Sequence, residues 1–317
     1  IESLVEQRAA AEAAARAERI SGDTSAAHAL AHSLAIEDAL GVTVPDQAHR
    51  LRALLLELER LYNHATDLGA LANDVGFGLA NTHAQHARER LLRINAAVTG
   101  HRLLRGAIHP GGVTLRALPN ATELRSIAAE VVEITDLTLA NSVIRDRFSG
   151  TAAITYDQVR DLGCLGYVAR ASGLASDARL DHSTVALPIH PMLGTDGDVL
   201  ARYTIRRDEH AASNELACHL IEEATGPLTI TTPPPDLSIV HDRLAPARSG
   251  VGIVEGWRGT IVHRIELDRH DQISRAKIVD PSWFNWPALP VALTDTIVPD
   301  FPLANKSFNL SYAGNDL

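Results

Sequence analysis

Leucines at 51, 54, 55, 58 and 61 recur at helical spacing, while Arg52, Glu57, Glu59 and Arg60 fill the positions between them. This predicts a long helix with one buried stripe. Alanine-rich sequence over 2–19 and a second helical pattern over 25–40, ending at Gly41, predict two earlier helices. Segments 82–104 and 120–146 repeat the pattern, separated by the turn-forming run His109-Pro110-Gly111-Gly112-Val113. From 148 to 197, Gly163, Gly166, Gly173, Pro188 and Pro191 break the sequence into loops with one short helix. A last long helix over 200–224 stops at Gly226-Pro227, and Thr231-Thr232-Pro233-Pro234-Pro235 reads as a stiff extended connection. Beyond it the period changes to two across 252–268 and 276–280, as in paired strands, and the end mixes a short helix with loops.

The fold class is therefore mainly α: a long-helix bundle with a small β-containing C-terminal segment. The bundle core should occupy 1–226, with a loop-rich insertion at 153–197, and 227–317 should form a closing segment that returns to the bundle.

A hydrophobic fraction of 45% with 21% charged residues is that of a globular chain rather than a disordered one. The net charge of −10 argues against broad attraction to nucleic acid or to an anionic membrane surface. No uncharged apolar run reaches 18 residues, so direct membrane insertion is not expected. The two cysteines, Cys164 and Cys218, fit no disulfide framework, zinc site or cluster-binding pattern, and a reducing compartment follows. The start, Ile1-Glu2-Ser3-Leu4, lacks an initiator Met and a signal-peptide pattern, which suggests missing upstream sequence.

Five segments, in order along the chain, carry a resemblance. Glu2-Ser3-Leu4 resembles the tail of an Arg-Gly-x-Glu-x-Leu motif. Residues 19–28 are similar to a motif of two cysteines followed four positions later by a histidine, with Ser21 and Thr24 at the cysteine positions and His28 retained. Residues 33–64, the 109–113 run and 173–179 continue the match. Glu255-Gly256-Trp257-Arg258-Gly259, with His263, resembles Glu-Ala-Pro-Arg-Gly, and 308–316 resembles a closing Asp-Pro-Cys-x-x-Cys motif with Asn309, Leu310, Ser311 and Gly314 at its defining positions. These are motifs of the large subunit of the nickel-iron hydrogenase and complex I quinone-side superfamily. The chain most resembles the energy-converting, formate-hydrogenlyase-type members and the related complexes that lack nickel-ligand cysteines.

The resemblance implies a cavity lined by Glu2, Ser21, Thr24, His28, Glu255, Arg258, Ser311 and Gly314, with Glu2 in the place of a proton-transfer carboxylate. It also implies an iron-sulfur small subunit carrying a 4Fe-4S cluster, membrane subunits, and a cytoplasmic location on the inner membrane face through those partners. Nickel in this family is held by four thiolates; neutral hydroxyls and a glycine cannot replace such soft donors, so hydrogen activation is not expected and no cofactor should be bound by this chain. Three readings remain: a metal-free oxidoreductase subunit active only in complex, a quinone-site subunit, and a non-catalytic scaffold or conformational-coupling subunit. No tyrosine stands near Ser21 and Gly22, where the family's quinone-contacting residue falls. A catalytic or quinone subunit predicts an open channel, and a scaffold predicts a cavity filled by side chains. Separately, His28 and His32 at i, i+4 with Glu2 or Glu37 could hold zinc; polar packing is the simpler account. For Arg258 and Glu255 the alternative to a cavity role is an internal ion pair, and for 283–287 (Trp-Phe-Asn-Trp-Pro) the expectation is packing or a subunit interface.

Overall fold

The computed structural model describes residues 2–233 and 248–317. Pro234 and Pro235, part of the expected stiff connection, lie outside the described residues.

The expected first helix is broken into α1 (Glu2–Val5) and α2 (Ala10–Ala17), with Gln7 at φ 61° between them. Gln7 N–H donates to Ile273, which ties this break to a strand from the far end of the chain. Next come α3 (Ser25–Leu40), α4 (Asp46–Asp74) and α5 (Gly78–Thr99). The predicted 120–146 helix is two helices, α6 (Ala121–Ala140) and α7 (Ser142–Phe148), because the Asn141 side chain accepts from the backbone N–H of Val143 and Ile144 and starts a new helix. The loop-rich segment holds three short helices rather than one: α8 (Tyr156–Asp161), α9 (Gly166–Ala171) and α10 (Ala178–Asp181). The long α11 (Val199–Glu223) follows. The 109–113 run is a turn between strands β1 (Ile108–His109) and β2 (Gly112–Thr114), and β3 (Thr229–Thr231) pairs antiparallel with β2 to complete a sheet that periodicity did not reveal. Strands of two or three residues are too short to show alternation.

The second sheet is an antiparallel meander of β4 (Arg248–Glu255), β5 (Thr260–Leu267) and β6 (Ile273–Val279). The short helices α12 (Pro281–Asn285), α13 (Ala288–Ala292), α14 (Phe301–Phe308) and α15 (Tyr312–Asn315) close the chain. The core is continuous between the bundle and this closing part: leucines of α4 share it with Trp257, Ile261, Leu303 and Phe308.

Helix α4 corrects the one-stripe expectation. Its leucines are buried, but so are Arg52, Glu57, Glu59 and Arg60. The charged face is tolerated because each group finds partners: Arg52 donates to Glu37 and to the carbonyls of His109 and Gly112, and Glu59 accepts from the N–H groups of Ala26 and Ala27 at the start of α3. Helix α3 lies against β4 with almost no side chain between them, which the alanines at 27, 31 and 35 permit. A Cβ on Gly252 would stand 1.9 Å from the Ala31 carbonyl oxygen, and one on Gly250 2.1 Å from that of Ala35. Gly252→Ala is therefore expected to force α3 and β4 apart and to destabilise the fold by about 3 kcal/mol, the upper end for an overpacked core; a urea-denaturation midpoint close to wild type would contradict the packing described.

Candidate functional site

The start of α3 and the end of α14 bring the first and last motifs together. Asn309, at φ 44°, ends α14 and turns the chain so that Ser311 faces the segment before α3. The hydroxyls of Ser21 and Ser311 are 3.0 Å apart. Ser311 is also the cap of α15, its Oγ accepting from Gly314 N–H at 3.0 Å, while its own N–H donates to Ser282 Oγ at 2.9 Å. Arg258, in the turn between β4 and β5, clamps both ends: Nη1 and Nη2 donate to the two oxygens of Asp23 at 2.7 Å each, and Nε donates to the Asn309 carbonyl at 2.6 Å. Thr24 Oγ1 accepts from Arg258 and from Trp257 Nε1, both at 3.1 Å, and the Arg258 guanidinium lies 4.0 Å over the Trp257 ring. Burial alone would push the Asp23 carboxyl up, but Arg258 outweighs it and holds Asp23 at about 2. Below, Glu59 is enclosed without a guanidinium contact, and burial pushes its carboxyl up to about 8 against the two N–H groups it accepts from.

His28 and Gly314 belong to a second, adjoining cluster. His28 Nε2 is 3.2 Å from Asp280 Oδ2, and its Nδ1 is 3.0 Å from His263 Nε2. The Asp280 carboxylate occupies the space in front of Gly314, where a Cβ would stand 2.4 Å from Cγ. Only glycine fits there. Burial pushes the Asp280 carboxyl up, but its bonds with His28 hold it below the usual range. His32 lies edge-on to His263, and neither of its ring nitrogens has a partner among the described residues. Burial and the neighbouring His28 lower it to about 4.

The remaining expected residues lie elsewhere. Glu2 accepts from Lys277 Nζ at 2.6 Å and from Ile278 N–H at 3.0 Å on β6, not from the Ser21–Ser311 junction. Glu37 is paired with Arg52, so neither carboxylate proposed to join His28 and His32 approaches them; among the described residues no set of three His, Cys, Asp or Glu side chains is arranged to hold a metal. Glu255 does not pair with Arg258. It turns into a buried ion network, where Arg170 Nη1 reaches its Oε1 at 2.8 Å. The sequence motifs point neither to that network nor to Asp23 and Asp280. Asp23 had a signal, since an acid between two pocket positions asks for a cation.

The donors do not fit a nickel-iron centre. Three hydroxyls already bond to each other or to neighbouring side chains, the fourth position has no side chain, and a carboxylate fills the space beside it. Reinstating a side chain is expected to fail for the same reason: Gly314→Cys should displace Asp280 from His28 and lower the thermal midpoint by several degrees, as a local overpacking of about 1–3 kcal/mol does in a chain of this size. An unchanged midpoint would show that the carboxylate has room to move.

Residues 74–316 match the family model described as respiratory-chain NADH dehydrogenase, 49 Kd subunit, and residues 1–72 match that of nickel-dependent hydrogenase. The chain belongs to the 49-kDa subunit family of respiratory-chain NADH dehydrogenase. It is 29% identical over 308 residues to formate hydrogenlyase subunit 5 of Escherichia coli, covering 94% of this chain and 52% of that protein. It is also 29% identical over 303 residues to NADH-quinone oxidoreductase subunit 4 of Thermus thermophilus, covering 87% of this chain and 74% of the relative. The chain thus spans about half the length of formate hydrogenlyase subunit 5. A solved chain of a membrane-bound sulfane sulfur reductase, an archaeal respiratory membrane complex, shares the fold at TM-score 0.85 and 22% identity, over 100% of this chain and 88% of that one. The described residues contain no helix long and apolar enough to cross a membrane.

Proposed function

We propose that this chain is a metal-free large subunit of a multisubunit, membrane-associated oxidoreductase, in which it does not activate hydrogen and acts as a scaffold and conformational coupler. Its relatives are subunits of formate hydrogenlyase and of NADH-quinone oxidoreductase. The observation that carries the scaffold role is the direct contact of Ser21 and Ser311 at 3.0 Å, with Arg258 and Asp280 filling the rest of the junction. The side chains that would line an open channel to a cluster face or a quinone head group are bonded to one another, Ser21 to Ser311 and Thr24 to Arg258 and Trp257. An iron-sulfur small subunit, with a 4Fe-4S cluster, docks on the face beside this junction, where Trp283, Phe284 and Tyr312 are exposed and Trp286 packs edge-on against Tyr312 at 5.1 Å. Membrane subunits hold the assembly on the inner, cytoplasmic side of the membrane.

Affinity purification of the tagged full chain from its native host tests this reading. An iron-sulfur protein and membrane proteins should co-purify, with iron but no nickel in stoichiometric amount, and with turnover insensitive to Ser311→Ala. Stoichiometric nickel, quinone retained on the complex, or loss of turnover in Ser311→Ala would favour a catalytic pocket instead.

A further inference from the structure

A buried ion network outside the Ser21–Ser311 junction contains more acids than cations. Its carboxylates are Glu57, Asp177, Glu209 and Glu255, all of them buried. Its cations are Arg60, Arg170 and Arg179. Contacts join them into one unit: Arg170 reaches Glu209 at 2.7 Å, Glu255 at 2.8 Å and Asp177 at 3.7 Å. Arg179 reaches Asp177 at 2.6 Å and Glu57 at 3.0 Å, and Arg60 reaches Glu57 at 3.3 Å. Four negative charges against three positive ones leave one negative charge in a region shielded from water, and a low-dielectric interior resolves such an excess by binding a proton.

His64 is not a good home for that proton. Its Nε2 is 2.9 Å from Glu209 Oε2, but its Nδ1 has no partner among the described residues, so an imidazolium would bury an N–H with nothing to accept it. It also faces Arg60 and Arg206, which disfavour a further positive charge. Among the acids, Glu209 is held by Arg170 and His64, Asp177 by Arg179, and Glu57 by both Arg60 and Arg179; although Ser213 also bonds Glu57, two guanidiniums keep it ionised. Glu255 has one guanidinium. Its other oxygen, Oε2, meets Ala178 N–H at 3.1 Å and Thr260 Oγ1 at 2.8 Å. A hydroxyl can donate to a carboxylate or accept from a carboxylic acid, so Thr260 suits either protonation state of Glu255.

We propose that Glu255 carries a single exchangeable proton, held on Oε2 in a hydrogen bond to Thr260 Oγ1, and that Arg170 governs how tightly it is held. Movement of Arg170 away from Glu255 strengthens proton binding, and closer approach releases the proton. Glu255 itself lines a cavity with Glu57, Ala178, Arg179 and His182, which gives the proton a place to exchange with solvent. Burial raises the Glu255 carboxyl against the pull of Arg170, with Asp177 adding to the rise, in agreement with this placement.

Infrared spectroscopy of the full chain near pH 7 tests the proposal. The carbonyl stretch of a protonated carboxyl should be present, shift in D2O, and lose one group's intensity in Glu255→Gln; any Glu59 contribution remains. Thr260→Val should move the same component to higher frequency, because the acid loses its acceptor. Wild type at pH 7 should also bind one proton more than Glu255→Gln by potentiometric titration. No protonated-carboxyl component assignable to Glu255, or a component unmoved by Thr260→Val, overturns it. If Glu255→Gln does not fold, the Thr260→Val spectrum alone decides.

Discussion

Replacing Arg170 with methionine is expected to destabilise the chain by about 3–5 kcal/mol, because it leaves two enclosed carboxylates, Glu209 and Asp177, without the guanidinium that neighbours both. The methionine fills most of the volume, so the loss reports charge rather than a cavity. The same reasoning gives a compensating change. Glu209→Gln removes one stranded charge, and in the Arg170→Met background it should recover part of the loss, whereas Glu255→Gln, which replaces an already uncharged group, should recover little. A double-mutant cycle in urea at pH 7 measures this coupling. Additive effects would mean that Arg170 and Glu209 do not act as one unit. A cost below about 1 kcal/mol for Arg170→Met, the scale of a solvated pair, would remove the network from the account of stability.

Much of this architecture could be read from the residues. The leucine stripe gave α4, the change to a period of two gave the meander, and the separated motifs gave the meeting of Ser21, Thr24, Arg258 and Ser311. What stayed hidden depends on long-range pairing. Arg52, Glu57, Glu59 and Arg60 look like a solvated face in one dimension, and only Glu37, Arg179 and the N–H groups at the start of α3 turn them into a second buried face. Glu255 sits three residues from Arg258 in a single motif, yet strand alternation and the Gly256–Gly259 turn point the two side chains to different partners. Glu2 was placed by its motif, and β6 claims it instead. The role of Gly314 depends on Asp280, which no motif contains and which lies directly in front of it.

Acidification below pH 6.5 should unfold the chain in a way that single histidines control. His32 and His210 are enclosed as neutral rings, and burial lowers them to about 4 and about 3 from an ordinary value near 6.5. The unfolded chain therefore binds protons first. The stability that these rings permit is complete above pH 6.5, falls as pH drops from 6.5 towards 4 and 3 respectively, and levels off below those values. For His32 the full loss is about 3 kcal/mol, and about 2 kcal/mol of it is reached by pH 5. His210 adds a loss of similar size over the same window, enough together to consume much of a typical domain's stability of about 5–15 kcal/mol. Glu59 acts with the opposite sign: its contribution is complete below pH 4.5 and disappears as pH rises through about 8, so maximal stability should fall between these limits. His32→Leu isolates the acid limb, since neither ring nitrogen of His32 has a bond to lose among the described residues. Its stability should decline between pH 7 and pH 5 by about 2 kcal/mol less than that of wild type, measured by urea denaturation at each pH. Parallel declines in the two proteins would mean that His32 gains its proton as readily when folded as when unfolded, and that the α3–β5 interface is open to water.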